Sequence, residues 1–427
     1  MKKNFTYFIF LFYCISNAQE TAVLEWINSN AIPIEDVNPN SPLLIFDQKA
    51  PQLFKDAQLF GFGEASHHSK EFFDLKTKFF KYLVEHKGVT VFMMEESYQA
   101  EKGINEWISG GKGNRLSVVE NFTIAPWYCN EVVDLLEWMR NYNQGKPKEA
   151  QIRFYGIDSQ DGKGLAAEIR AFINKHEIDV TASLLEAADA CEARLYHVKN
   201  NKTWALEQLQ KLDALEQQIV EHQKKSLSDA SETYAPVLRT LQYLKNYTLY
   251  LQNPKTDVRD EQMFKNALWL MNTVEKDSKV FIWAHNEHIN KKGHSNHIIN
   301  LGYLLKKEYG SKYYCVGFDF GTGKLLGVTI KKGKVTGWNY HPLTEPYKNT
   351  YAETLNKANN AIYFIDMELA LATEPTGFFS KENRNLGLGG PGFNPKKPIL
   401  MKRSYAVTYD GLLFVKTISK STNKISE

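Results

Sequence analysis

The stretch Ala57-Gln-Leu-Phe-Gly-Phe-Gly-Glu-Ala-Ser-His-His-Ser-Lys-Glu-Phe-Phe-Asp-Leu-Lys-Thr-Lys78 decides the fold of this chain. Its first part, Gln58 to Phe62, is apolar and predicts a short buried strand. After a glycine-containing turn, phenylalanine and leucine recur at three- and four-residue spacing, which predicts an amphipathic helix. The stretch is therefore a strand–turn–helix unit of the kind from which α/β folds are built.

Ionisable residues occupy the turn of this unit, where Glu64, His67 and His68 follow the predicted strand. In open α/β sheets, ligands bind at the carboxyl ends of the strands. Three later apolar runs end in the same way, at Glu95, Asp158 and His285. Since parallel strands share one carboxyl edge, we expect these side chains to converge on a single site.

Strand and helix patterns alternate at least four times, which predicts an α/β fold with a mostly parallel, helix-flanked sheet. Further strands are predicted at 89–94, 152–157, 279–284, 314–320, 360–366 and 406–416. We also expect an antiparallel hairpin over 324–338 and a loop beside the site over 384–397, which is rich in Gly, Asn and Pro.

The domain organisation follows from a change of pattern in the middle of the chain. Residues 163–252 are polar and helical in period, which predicts an inserted helical subdomain that covers the cleft. The segments 19–162 and 253–427 then form the α/β core.

The N-terminus resembles a secretion signal. Lys2 and Lys3 precede an apolar run that ends near Ile15, and small residues lead to Ala18. The run is shorter than the about 20 residues of a membrane-spanning helix. We therefore predict a signal peptide over 1–18, cleavage after Ala18, and a periplasmic or secreted protein without membrane insertion. The alternatives are a membrane anchor and lipidation at Cys14.

Composition narrows the partners. Apolar residues make up 43% and charged residues 24% of the chain, as in soluble globular proteins. A net charge of +3 gives no reason to expect nucleic acid as a partner. Without the signal, three widely spaced cysteines remain, Cys129, Cys191 and Cys315, which indicates neither a disulfide framework nor a cysteine-based metal site.

Histidines cluster in two places. Six of the eleven fall in two short stretches: His67, His68, His285, His288, His294 and His297. Imidazole has an ordinary pKa of roughly 6.5, which suits proton transfer near neutral pH. The chain lacks a Gly-x-Ser-x-Gly elbow and a His-Glu-x-x-His zinc helix. Two chemistries stay open: a histidine base that activates water, or a metal held by His67, His285, His288 and Glu64.

A resemblance to a known family follows from five motifs taken in order. They are Gly63-Glu64-Ala65-Ser66-His67, Lys76, Glu95, Arg259-Asp260-x-x-Met263-x-x-Asn266-x-x-Trp269 and Trp283-Ala284-His285-Asn286-x-His288. Together they resemble the successive motifs of the erythromycin esterase family, whose members include macrolide-lactone hydrolases. The match runs from about residue 55 to 320 and implies an α/β core with a helical subdomain over a cleft.

The resemblance also implies roles. His67 is the expected general base, Glu64 and Glu95 orient it or position the water, and His285 polarises the scissile carbonyl or stabilises the oxyanion. Arg259 supplies positive charge in the cleft. The residues expected to bind substrate are Lys76, His68, His288, Asp158 and Trp127.

Two positions depart from the family pattern. The family commonly has Gly where this chain has His68, and an Arg is expected where it has Lys76. Lysine keeps the charge of arginine but loses the planar fork that pairs with carboxylates. The substrate can therefore differ from that of other members.

The leading hypothesis is an exported, cofactor-independent hydrolase that cleaves a small-molecule ester or lactone with water activated by His67. One alternative is a metal-dependent hydrolase that uses the same cluster. The other is a non-catalytic periplasmic binding protein that keeps the cleft without turnover.

Overall fold

The computed structural model describes residues 18–195, 198, 201–225, 231–293, 299–331, 334–388, 392–422 and 425. The predicted signal peptide lies outside these ranges except for Ala18, and His294 and His297 lie outside them as well. Within these ranges, no helix combines the length and apolarity needed to cross a membrane.

The strands form one large sheet and one small one. In chain order they are β1 (Ile32–Pro33), β2 (Leu59–Phe62), β3 (Val89–Ser97), β4 (Arg153–Asp158), β5 (Lys279–Trp283), β6 (Tyr313–Lys331), β7 (Lys334–Leu343), β8 (Ile362–Asp366), β9 (Asn383–Gly387), β10 (Ile399–Arg403) and β11 (Gly411–Ile418). The large sheet has the order β1-β8-β11-β6-β2-β5-β3-β4, with β7 paired to β6, and β9 pairs with β10. All pairs from β11 to β4 are parallel, whereas β1, β7 and β8 pair antiparallel. The predicted fold class, a mostly parallel α/β sheet, is confirmed.

Helices flank the sheet. They are α1 (18–30), α2 (Leu44–Lys49), α3 (Gln52–Asp56), α4 (Lys70–Lys87), α5 (Ala100–Ile108), α6 (Arg115–Val119), α7 (Asn130–Asn143), α8 (Leu165–Lys175), α9 (Ala182–Ala193), α10 (Asn201–Lys225), α11 (Ser231–Gln252), α12 (Thr256–Thr273), α13 (Asn286–Ile289), α14 (Leu301–Tyr309), α15 (Tyr351–Leu355), α16 (Met367–Thr373) and α17 (Tyr405–Thr408).

The apolar core lies on both faces of the sheet because side chains alternate along each strand. On β5, Phe281 and Trp283 join the core beneath α4 and α7, whereas Val280 and Ile282 join the core beneath α12 and α14. Phe281 stacks on Phe62 of β2, with ring centroids 4.9 Å apart. The central strands are therefore buried on both sides, and only their ends are available for chemistry.

Helices α8 to α11 occupy the segment predicted to be helical and have an apolar cluster of their own. Arg239 of α11 joins this cluster to the core, since its guanidinium donates to the Glu101 carboxylate of α5 at 2.8 Å. The proposed boundaries of an inserted subdomain, 163 and 252, stay a prediction.

Three predictions of local structure were wrong in part. The strand expected at 314–320 and the first arm of the hairpin form one continuous strand, β6. The predicted loop at 384–397 overlaps β9, which pairs with β10. The strand expected at 406–416 begins only at Gly411, since Tyr405–Thr408 is a helical turn capped by Ser404. In each case pairing with a distant strand or a local cap overrides the apolar pattern of the segment.

Candidate active site

The order of the strands explains how the predicted residues meet. Strands β2, β5, β3 and β4 are parallel neighbours, so their carboxyl ends lie side by side at one edge. His67 follows β2 and His285 follows β5, and their ring centroids are 5.0 Å apart. Glu95 lies within β3 next to β5, and its carboxylate accepts the backbone N–H of His285 at 2.8 Å. The predicted convergence is thus what the fold produces.

A buried carboxylate holds His67 in place. Nδ1–H of His67 donates to Oε1 of Glu64 at 2.5 Å, and the Lys76 ammonium donates to Oε2 of Glu64 at 2.5 Å. Glu64 and Lys76 are fully buried, whereas the side chain of His67 is 28% exposed. Because the carboxylate takes Nδ1–H, Nε2 is the basic nitrogen of His67.

Burial raises the pKa of Glu64, but the Lys76 ammonium and the His67 imidazole outweigh burial and hold that pKa below its ordinary value. Burial lowers the pKa of Lys76 to about 8, against the opposing charge of Glu64. The ammonium also lies 4.0 Å from the ring centroid of Trp283, a favourable cation–π contact. Glu64 therefore stays ionised and keeps the tautomer of His67 fixed.

Two positions in the turn between β2 and α4 have a packing or a backbone geometry that favours glycine. A Cβ on Gly63 would come within 2.2 Å of Oδ1 of Asn286, whose amide bonds both the N–H and the carbonyl of Phe318. Glycine therefore lets the turn pack directly against the loop that carries His285. His68 has φ of 60°, in the left-handed region that favours glycine. A glycine at this position would adopt the same backbone geometry without strain.

His285 is arranged as a neutral hydrogen-bond donor. Its Nδ1 accepts the backbone N–H of Glu287 at 3.2 Å, so the ring proton belongs on Nε2. Burial, followed by the nearby His67, lowers the pKa of His285 to about 4. Nε2 is buried and has no hydrogen-bond partner in the described part of the chain. An unpaired donor of this kind costs free energy unless a ligand uses it.

A charged network lies beside the histidines. Arg259 donates to both carboxylate oxygens of Asp158, at 2.9 and 2.7 Å, and to Oε1 of Glu95 at 2.7 Å. Nδ1–H of His288 donates to Oδ1 of Asp260 at 2.5 Å. Nε2 of His288 lies 3.2 Å from Oε1 of Glu95 and 3.1 Å from Nη1 of Arg259.

The pKa directions in this network agree with its pairing. Burial lowers the pKa of His288, but Asp260 and Glu95 outweigh burial and raise it to about 10, so Nε2–H donates to Glu95. Burial raises the pKa of Glu95, but His288 and Arg259 hold it well below its ordinary value. Glu95 is therefore ionised, and both Arg259 and His288 lie against its carboxylate.

These groups border a cavity of about 640 Å³. Its polar wall includes six of the predicted residues: His67, His68, Glu95, Arg259, His285 and His288. Its apolar wall comes from the loop before α7, from the β6–β7 hairpin and from the residue that follows β9, and it consists of Ile124, Ala125, Pro126, Leu326, Trp338 and Leu388. A cavity that is lined by both charged and apolar side chains suits a small organic ligand.

Four of the predicted site residues lie behind the cavity wall. Glu64, Lys76, Asp158 and Trp127 are buried and do not border the cavity. Trp127 donates its indole N–H to the Glu95 carbonyl at 3.1 Å and packs edge-on against His67. Lys76, Asp158 and Trp127, which we expected to bind substrate, therefore lie behind the residues that border the cavity.

Most ring nitrogens of the three histidines already have neighbours as hydrogen-bond partners, which bears on the metal-dependent alternative. His288 has both ring nitrogens engaged by neighbours, and His285 and His67 each have Nδ1 engaged. Among the described residues, no group of three or more His, Cys, Asp or Glu has the arrangement of a metal site. The described cysteines, Cys129, Cys191 and Cys315, are buried and unpaired as thiols.

Sequence reasoning did not assign two residues of the site. Asp260 belongs to the motif that begins at Arg259, yet its pairing with His288 depends on how α12 packs against α13. Glu287 lies between the two histidines and borders the cavity. Its position between them was a usable signal, because residues that directly follow a strand of a parallel sheet lie at the carboxyl edge where ligands bind.

The chain is similar to known proteins in sequence and in fold. The family model for erythromycin esterase matches residues 84–418. The Escherichia coli protein named erythromycin esterase type II is 24% identical over 333 residues, which cover 70% of this chain and 77% of that protein.

Two solved structures share the fold. A Bacillus cereus protein has a TM-score of 0.80 at 21% identity, and the match covers 95% of this chain and 99% of that one. A histidine-to-asparagine variant of the erythromycin esterase EreC, in its open conformation, has a TM-score of 0.65 at 13% identity, with 90% and 97% covered. From its match to the family model, this chain belongs to the erythromycin esterase family and is a hydrolase that acts on ester bonds.

Proposed function

We propose that this protein cleaves a small-molecule ester or lactone with a water molecule that His67 activates. The observation that carries the proposal is that one cavity is lined by two imidazoles whose Nε2 atoms have opposite hydrogen-bonding roles. Glu64 leaves Nε2 of His67 as a base, and the Glu287 N–H leaves Nε2 of His285 as a donor. Base and donor are the two groups that acyl transfer to water requires.

The reaction divides between the two rings. Nε2 of His67 takes a proton from the water molecule while the water oxygen attacks the carbonyl carbon of the substrate. Glu64 stabilises the imidazolium that forms on His67. Nε2–H of His285 donates to the carbonyl oxygen as it becomes an oxyanion. When the tetrahedral intermediate collapses, the proton on His67 passes to the leaving alkoxide. The products are a carboxylic acid and an alcohol, or one hydroxy acid from a lactone.

Arg259 acts in this scheme mainly by positioning. Its guanidinium holds the carboxylate of Glu95, and that carboxylate fixes the backbone of His285. Because the charge of Arg259 is matched by Asp158 and Glu95, the cavity favours an uncharged substrate over an anionic one. The name of the Escherichia coli relative supports a macrolide lactone as one substrate to test, with antibiotic resistance as its consequence.

Export is part of the proposal. Lys2, Lys3 and the apolar run to Ile15 support a signal peptide cleaved after Ala18 and a periplasmic or secreted enzyme. Mass spectrometry of the protein from the outer compartments of expressing cells tests it. A mature chain that begins at Gln19 is the expected result.

The function is tested by the hydrolysis of aryl esters and macrocyclic lactones by the mature protein, with and without a chelator. We expect turnover that the chelator leaves unchanged, because base and donor are both side chains. Loss of turnover with the chelator, restored by one added metal, would instead support the metal-dependent alternative. Binding of these compounds without any turnover would support the binding-protein alternative.

Replacement of His285 by alanine is expected to lower kcat by about 10²-fold, since a single oxyanion donor is lost. KM is expected to change little, because the donor acts on charge that develops only in the transition state. The His285→Gln variant is the matched comparison, as its amide N–H can still donate. A kcat that is equally low in both variants, or unchanged in both, would contradict the role of His285 as a donor.

A further inference from the structure

The ion pair between Arg403 and Glu287 lies at the edge of the site and comes from a part of the chain that the mechanism does not use. Arg403 ends β10, in the small two-stranded sheet. Its Nη2 donates to Oε1 of Glu287 at 2.7 Å, and its Nη1 donates to the hydroxyl of Tyr409 at 3.1 Å. The side chains of Arg403 and Glu287 are 8% and 16% exposed, so the pair is largely shielded from water.

Glu287 is tied to His285 through its backbone. Its N–H is the group that Nδ1 of His285 accepts, and its carbonyl accepts the side-chain amide of Asn300 at 2.6 Å. The Glu287 side chain borders the cavity. Movement of Glu287 would therefore change both the tautomer and the direction of the His285 ring.

Each carboxylate that acts on the His285 ring has a cation as its partner. Three carboxylates act on its ring, those of Glu287, Glu95 and Glu64, and each raises its pKa against the lowering by burial and by His67. Each carboxylate is paired with a buried cation from a different element: Lys76 of α4 with Glu64, Arg259 of α12 with Glu95, and Arg403 of β10 with Glu287. The three cations therefore offset the negative charge of the carboxylates, which would otherwise favour protonation of the His285 ring.

We propose that Arg403 is a positioning residue for the hydrolysis, which balances and anchors Glu287 so that His285 stays a neutral donor through Nε2. The inference rests on the role proposed for His285. It extends the site to the small sheet, from which the mechanism otherwise takes no side chain among the described residues.

The test follows the His285 ring by NMR in protein labelled with ¹⁵N-histidine, its signal identified by its loss in the His285→Gln variant. In Arg403→Gln, the Glu287 carboxylate loses its guanidinium partner, so we expect the pKa of His285 to rise by about 1. In the double variant with Glu287→Gln, we expect it to return toward the wild-type value. Arg403→Lys keeps the charge and is expected to stay close to wild type.

Arg384→Gln is the matched control, because Arg384 is an exposed arginine in β9 of the same small sheet. It is expected to leave the titration unchanged. We also expect Arg403→Gln to lower kcat with KM nearly unchanged, and the Glu287→Gln double variant to recover part of that loss. If Arg403→Gln does not fold, Arg403→Met, which keeps the apolar stem, is read in the same way.

A titration of His285 that is the same in Arg403→Gln and wild type would overturn the inference. A double variant that shows the same pKa as Arg403→Gln would overturn it too. This readout needs no turnover, so its failure is distinct from that of the proposed function, which would be seen as normal hydrolysis by His285→Ala.

Discussion

Replacement of His67 by alanine is expected to lower kcat by about 10²–10⁴-fold, the contribution typical of a general base. The imidazole is the group in the cavity whose Nε2 is basic, because Glu64 takes the proton of Nδ1. The alanine variant keeps the cavity walls and the donor at His285, so KM is expected to change little. Steady-state kinetics with the best ester of the panel provides the measurement.

The control for this prediction is His86→Ala. His86 is exposed at the far end of the same helix, α4, where it stacks on Tyr82. It is expected to leave kcat unchanged. Normal turnover by the His67→Ala variant would rule out water activation by His67 and would mean that another residue of the cavity is the base.

Replacement of Arg259 by glutamine is expected to lower the free energy of unfolding by about 3–5 kcal/mol, the cost of breaking a buried ion pair from one side. Asp158 and Glu95 are 0% and 6% exposed and share this guanidinium. Without it, two carboxylates lose a cation that water cannot replace. Urea denaturation of the two proteins at the same pH measures the difference.

Arg170→Gln is the matched control for stability. Arg170 and its partner Asp189 are 39% and 52% exposed, and exposed pairs contribute only about 0–1 kcal/mol. A loss in Arg259→Gln no larger than that of the control would contradict the network as described. Activity in Arg259→Gln is expected to fall as well, since Glu95 fixes the backbone of His285.

Much of the fold could be predicted from local patterns. The apolar runs that end before Glu64, Glu95, Asp158 and His285 are strands of the parallel sheet, with ends shifted by a few residues. Hydrophobic period and turn residues are local properties, so they indicated these strands, although strand pairing and caps overrode them in the three segments described above. The order β2-β5-β3-β4 could not be read from the sequence, because pairing joins residues that are far apart in the chain, such as Leu59 and Val280.

The site was predictable to the same extent. Ionisable residues at strand ends indicated the cavity-lining histidines and Glu95, because parallel strands share an edge. Trp127 was expected in the cavity, yet its indole packs beneath His67, and no local signal distinguishes these two positions. Arg403 could not be found at all, since its partner lies 116 residues away and the ion pair exists only once the small sheet has formed.

Strand β6 runs from the core of the sheet to the wall of the cavity in one piece of backbone. Its first half pairs with β2 and β11 in the core, and its second half pairs with β7 and carries Leu326, which borders the cavity. This part of the wall is therefore continuous with a strand of the core sheet. A descendant enzyme could therefore acquire a new substrate by exchanging side chains on the outer hairpin, at positions such as Trp338, while inheriting its histidines unaltered.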